Sequence, residues 1–143
     1  MQITLQLVPF QLKDGGYQFF LNGSIGRKKL YFLIDTGASR SVFDQERLQK
    51  RFPQFAFHPG EVLTVGFQDQ LANSREVEIV GLMLGKLLVA HFDAIAVDLS
   101  YVNKTYAKFG MKKIDGIIGS ELLVRLQAQV DFEHFKISFT SAE

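Results

Sequence analysis

A mainly β chain, built of hairpins with two or three short helices between them, is what this sequence predicts. Three observations carry that reading. Apolar residues recur at every second position through most of the chain, the signature of half-buried strands. Turn-forming residues interrupt these runs at short intervals. Only three brief stretches place apolar residues at helical spacing. At 143 residues and 47% apolar composition, one core can close without staples, so a single domain spanning 1–143 is expected.

The alternation begins with Ile3, Leu5 and Leu7, returns with Tyr17, Phe19 and Leu21, and again with Leu30, Phe32 and Ile34. Asn22-Gly23 or Gly26-Arg27-Lys28 can turn the chain between the second and third runs, so a hairpin delivers Ile34 to the end of a strand. A helix is predicted over 44–52. Asp44 is its N-cap, Glu46 lies in its first turn, Leu48 and Phe52 are four apart, and Pro53 stops it. Residues 62–97 return to strand spacing, broken by a polar stretch near 68–74 and a Gly85-Lys86 turn, as two successive hairpins. Tyr101, Val102, Tyr106 and Phe109 mark a second helix over 100–109, closed by Gly110. Ile114-Asp115-Gly116-Ile117-Ile118-Gly119 reads as a buried strand between glycines, 120–126 as a third short helix, and 128–140 as a terminal hairpin around Glu133-His134.

Composition removes several classes of function. The chain has no cysteine, which excludes disulfides, thiolate metal sites and cysteine nucleophiles. Sixteen Lys and Arg against fifteen Asp and Glu leave no basic footprint for nucleic acid. No apolar run is long enough to span a membrane, and Met1-Gln2-Ile3-Thr4 opens no signal sequence, so a cytoplasmic address is expected. His58, His91 and His134 share no metal-ligand spacing, and His91 and His134 have no acid at i+3 or i+4; all three read as ordinary surface or strand residues. Neither Ser39 nor Ser41 lies in a G-x-S-x-G elbow, which argues against a serine nucleophile.

One segment has a composition that chemistry explains better than packing does. Asp35 directly follows the apolar run 30–34, so its carboxylate leaves a buried strand into a turn, where it is costly without donors. Thr36 offers a hydroxyl, and Gly37 lets backbone N–H groups approach with no Cβ in the way.

The wider pattern is that of a known family. An apolar strand into Asp35-Thr36-Gly37-Ala38-Ser39, followed some eighty residues later by Ile117-Ile118-Gly119 and a short helix, resembles the retropepsin-like aspartic proteases. Together with Leu122-Leu123 and Val130-Asp131-Phe132 it is most similar to their bacterial single-domain members. The resemblance implies an acid-protease barrel of hairpins carrying half an active site per chain. Two aspartates about 3 Å apart then share a proton. A single Asp-Thr-Gly makes the partner carboxylate Asp35 of a second copy, hence a homodimer.

The resemblance implies the following roles. Asp35 is the catalytic carboxylate, Thr36 bridges the two loops, Gly37 and Ala38 support the dyad, and Ile117 lines a pocket for a substrate side chain. The polar stretch 66–73, with Gly66, Phe67 and Gln68, stands where the family places a flap over an extended peptide substrate. No cofactor or metal is implied. Ala38 brings no hydroxyl to the carboxylates, so cleavage is expected in mildly acidic to near-neutral solution. Retroviral members carry an acid at the position of Ser39 and an arginine at that of Ser120, which pair with each other; both are serine here, which points to a different dimer closure. Asp115, followed by Gly116 rather than a hydroxyl residue, reads as a turn carboxylate near Lys112 and Lys113. A protein that keeps this fold as a peptide-binding or assembly module without cutting is the alternative.

Overall fold

The computed structural model describes residues 1–59 and 74–141. The chain runs through β1 (Gln2–Gln6), β2 (Val8–Gln11), β3 (Tyr17–Ile25), β4 (Lys28–Ile34), β5 (Val42–Asp44), α1 (Gln45–Arg51), β6 (Phe57–Pro59), β7 (Arg75–Leu84) and β8 (Leu87–Val97). It ends with α2 (Ser100–Lys108), β9 (Gly116–Ile118), α3 (Ser120–Arg125), β10 (Gln129–Asp131) and β11 (Lys136–Thr140). The predicted mainly β class with two or three short helices is what the structure has, with three helices among the described residues.

Eight strands form a sheet in the order β2-β3-β4-β9-β5-β8-β7-β6, and an additional pairing of β3 with β7 closes six of them into a barrel. β1, β11 and β10 form a second, three-stranded sheet. The turn of the β3–β4 hairpin is Gly26-Arg27, with Gly26 in the left-handed region (φ +60), where a side chain would be strained. Asn22-Gly23, the other sequence candidate, lies inside β3, which continues there to meet β7 at Ser24↔Met83. Three strands escaped the sequence reading. β2, β5 and β6 have only three or four residues each, too few for a periodicity to show.

Alternation along β4 divides the core. Leu30 and Phe32 join the larger cluster, with Phe43, Ile79, Leu82, Leu84, Ile118 and Phe139, while Tyr31 and Leu33 join a smaller one on the opposite face, with Phe20, Val42, Ile95, Leu99 and Ile117. α1 and α3 supply Leu48 and Leu122 to the larger cluster, and α2 lays Val102 and Tyr106 over the smaller.

Buried polar groups fasten the long crossovers. Asp44 caps α1 as predicted, accepting from Arg47 N–H at 3.1 Å, and its other oxygen accepts from Leu99 N–H at 2.8 Å. Asn103 both donates to Ile114 O (3.1 Å) and accepts from Ile114 N–H (2.8 Å), fixing α2 to the entry of β9. Asp115 corrects the sequence reading. It is 5% exposed, and its partners are Arg47 Nε (3.0 Å), Arg51 Nη1 (2.8 Å) and the Tyr31 N–H (2.8 Å). The neighbouring Lys112 instead sits over the Tyr31 ring, 4.2 Å from its centroid. The cause is tertiary: β9 lies against β4, so the residue before it meets α1 rather than its own neighbours.

Asp115→Ala should therefore lower the unfolding free energy by about 2–4 kcal/mol, since it strips the Tyr31 N–H and two arginines of their acceptor. Asp115→Asn should lose less, because its amide oxygen still accepts from Tyr31. Urea unfolding of the two variants beside the wild type measures both.

Candidate active site

The site begins with a strand that is not where sequence order would put it. β9 inserts between β4 and β5, parallel to the first (Leu33↔Ile117) and antiparallel to the second (Val42↔Ile117). Loop 35–41, which joins β4 to β5, must then cross the end of β9. It does so closely: Asp35 N–H donates to Ile118 O (3.0 Å), Ser120 N–H to Ala38 O (2.8 Å) and Gly119 N–H to Ser41 Oγ (2.9 Å). A Cβ on Gly119 would stand 2.7 Å from Ala38 O, Arg40 C and Arg40 O, so only glycine admits the crossing.

On this arch Asp35 is half-buried. Its Oδ1 accepts from the Gly37 N–H at 2.8 Å, and its backbone carbonyl accepts from the Ala38 N–H at 3.2 Å, so the turn closes on its own carboxylate. Thr36 and Gly37 are exposed, and Ala38 is buried in the smaller core cluster. Ile117 is 2% exposed and packs in that same cluster. Gly66, Phe67 and Gln68 lie outside the described residues.

Asp35 and Thr36 open onto a cleft of about 380 Å³, bounded by Tyr17 and Phe19 of β3, Tyr106 of α2, and Val130 and Phe132 of the C-terminal hairpin. Tyr106 is a residue the sequence reading assigned only to helix packing. Its ring sits edge-on to Phe20 at 5.9 Å, and Phe20 stacks on Tyr31 at 5.0 Å. Burial first, and the Asp35 carboxylate second, hold the Tyr106 phenol above its ordinary value of 10.0, so it faces the cleft as a neutral hydroxyl. Nothing in the spacing of 100–109 announces this, because α2 meets Asp35 only through the fold.

A second group legible only in three dimensions braces the arch. Glu121 of α3 accepts from Ser41 N–H (2.7 Å) and from Ser41 Oγ (2.8 Å), and lies 3.7 Å from Arg40 Nε. Arg40 in turn donates to Asp93 O at 3.1 Å. An acid and an arginine thus do meet between this loop and α3, but from Glu121 and Arg40, one residue along from Ser120 and Ser39 and with the charges exchanged.

The histidines behave differently from expectation in one respect. His134 Nδ1 lies 2.8 Å from Asp131 Oδ2, an acid at i−3, and His91 lies 3.8 Å from Glu78 across a β ladder. Asp131, Glu133 and His134 bring ligand atoms within 4.8 Å of one another, all exposed at the hairpin turn. There Asp131 caps the turn by accepting from Glu133 N–H and His134 N–H. Its charge is stabilised by His134, which holds the carboxyl below its ordinary value of 3.8.

No protein-family model matches the chain, and no curated protein matches it. Solved structures are. A retropepsin-like aspartic protease from Rickettsia conorii superposes with a TM-score of 0.56 at 16% identity, over 97% of this chain and 90% of that one. The retroviral protease-like domain of Ddi1 from Leishmania major gives a TM-score of 0.57 at 16% identity, over 85% of this chain and 87% of that one. The fold is therefore the retropepsin-like barrel that the motifs imply.

Ser41→Ala should cost about 1–3 kcal/mol by leaving the buried Gly119 N–H without an acceptor. It should also speed amide hydrogen exchange at Ala38 and Ser120, whose N–H groups bond within the arch. Exchange rates at Ile79, in the distant barrel core, serve as the reference and should change only with global stability.

Proposed function

We propose that the chain is an aspartic endopeptidase whose dyad is Asp35 of one copy and Asp35 of a second. The observation that carries the reading is the Asp35 arch itself. A carboxylate is held at a strand end by its own turn, with the Gly37 N–H on one oxygen, and opens onto a cleft walled by apolar and aromatic side chains. A packing role would not need an accessible acid there; acid–base chemistry does.

In this reading the ionised Asp35 takes a proton from a water molecule, whose oxygen attacks the scissile carbonyl carbon. The protonated Asp35 gives its proton to the carbonyl oxygen, forming a gem-diol. Collapse breaks the C–N bond, with a proton returned to the leaving nitrogen. Thr36 ties the two loops together, and Ile117 stands behind the arch. The substrate is an extended peptide, whose backbone can add to strand edges beside the cleft. Gly66, Phe67 and Gln68 are assigned to a closing flap. Support comes from the motif, the arch and the shared fold.

Asp35→Asn should abolish cleavage of a mixed peptide library, read by mass spectrometry, while far-UV circular dichroism and sedimentation stay as in the wild type. Asparagine keeps the shape and the Gly37 hydrogen bond but is no base. Turnover within tenfold of the wild type would falsify the dyad. Equal silence of both proteins, with peptide still bound, would instead select a binding or assembly module. Specific activity should also fall on dilution through the dimer dissociation constant, because one chain supplies one acid.

A further inference from the structure

A second cavity, of about 390 Å³, lies between α1 and α2 and shares no lining residue with the Asp35 cleft. Five cationic side chains line it: Arg47, Lys50 and Arg51 from α1, Lys104 from α2 and Lys113 from the approach to β9. The chain as a whole carries only +1, so positive charge is concentrated here. The concentration begins in the sequence, where residues 99–114 hold Lys104, Lys108, Lys112 and Lys113 with no acid among them.

Three carboxylates meet these cations, and each is already engaged. Asp44 is buried and accepts from the Arg47 N–H (3.1 Å) and the Leu99 N–H (2.8 Å). Glu46 pairs with Lys50 at 2.7 Å, and Asp115 takes both arginines, Arg47 Nε at 3.0 Å and Arg51 Nη1 at 2.8 Å. Asp98 does not line the cavity, and its Oδ1 accepts from the Ser100 N–H at 2.8 Å. One carboxylate beneath two guanidinium groups leaves a positive charge over. Lys104 and Lys113 add two more, being exposed with side chains that make no ion pair or hydrogen bond among the described residues.

The two arginines differ in the donors they still have to offer. Arg51 commits Nη1 to Asp115 and Nη2 to Lys29 O at 2.6 Å. Arg47 is anchored through Nε alone, so its two Nη nitrogens, with no partner among the described residues, form a fork fixed in place by a buried carboxylate. Such a fork reads two oxygens of one tetrahedral oxyanion, while lysines supply point charges beside it. No aromatic side chain lines the cavity, so nothing there stacks on a nucleobase.

We infer that the cavity between α1 and α2 is a binding site for a compact phosphate-class oxyanion, a diphosphate, held by Arg47, Lys104 and Lys113. A multivalent anion there offsets the mutual repulsion of cations gathered in one recess, where water screens them less than on an open surface. A single phosphate leaves much of the volume to water; a diphosphate offers more oxygens to cations that come from two helices. The site stands apart from the peptidase reading, since none of its residues belongs to the Asp35 cleft.

Isothermal titration calorimetry with inorganic pyrophosphate at constant ionic strength tests this. The wild type should saturate at one site with a dissociation constant below about 1 mM. Lys104→Glu and Lys113→Glu should each weaken binding by roughly tenfold or more, with the urea midpoint of the wild type, because neither side chain is bonded in the fold. Lys108→Glu is the control. It makes the same change of net charge on the same helix but outside the cavity, and should shift the affinity by less than about twofold. ADP should bind no tighter than pyrophosphate. An equal loss in all three variants would reduce the effect to net charge and overturn the site, as would no saturation by about 1 mM pyrophosphate. Tighter binding of ADP would overturn the compact ligand, because it would show that the nucleoside is read as well.

Discussion

The insertion of β9 between β4 and β5 is the constraint on which the rest of this structure depends. Two strands separated by only seven residues of chain are held apart by a third that arrives some eighty residues later, so the short loop joining them has nowhere to go but over the end of the intruder. Gly119 sets how closely it crosses. With no Cβ there, the carbonyls of Ala38 and Arg40 come down to contact distance, and the loop is fixed from below by the Ser120 and Gly119 N–H groups. The position of Asp35 follows from this crossing rather than from its own tripeptide.

The same crossing explains where the buried polar groups are. Asp44, Asn103 and Asp115 each join segments that packing alone would leave free to slide: the start of α1 to the end of β8, α2 to the approach of β9, and α1 to both β4 and β9. Each is matched to donors and acceptors, as burial requires. A buried ion pair contributes less net stability than its Coulomb attraction suggests, so the return on the Asp115 cluster is chiefly registry. It fixes α1 against the β4–β9 pair whose alignment shapes the arch.

Glu121 and Arg40 join α3 to the loop that carries Asp35. The retroviral pattern of an acid on the loop and an arginine on the helix is absent at Ser39 and Ser120. Yet a carboxylate from α3 and a guanidinium from the loop still meet there, displaced by one residue and exchanged in sign. What the arch needs is its outer N–H groups satisfied and α3 held beneath it. The consequences reach the other face of the arch, where α2 brings Tyr106 and the C-terminal hairpin brings Val130 and Phe132 to the cleft.

By itself the sequence determined the strand alternation, the turn at Gly85-Lys86, the Asp44 cap, three short helices and the terminal hairpin, since each depends on residues within a few positions of one another. It also determined the Asp35-Thr36-Gly37 and Ile117-Ile118-Gly119 motifs and their order, from which the barrel could be named. Tertiary structure alone decided that β9 would lie between β4 and β5, that Asp115 would meet Arg47 and Arg51 rather than its neighbouring lysines, and that Ser41 and Glu121 would brace the arch. It alone brought Tyr106 and Val130 to the cleft of Asp35. These contacts join residues tens of positions apart, and whether two such residues meet is set by how sheets close and cross, which no local periodicity encodes.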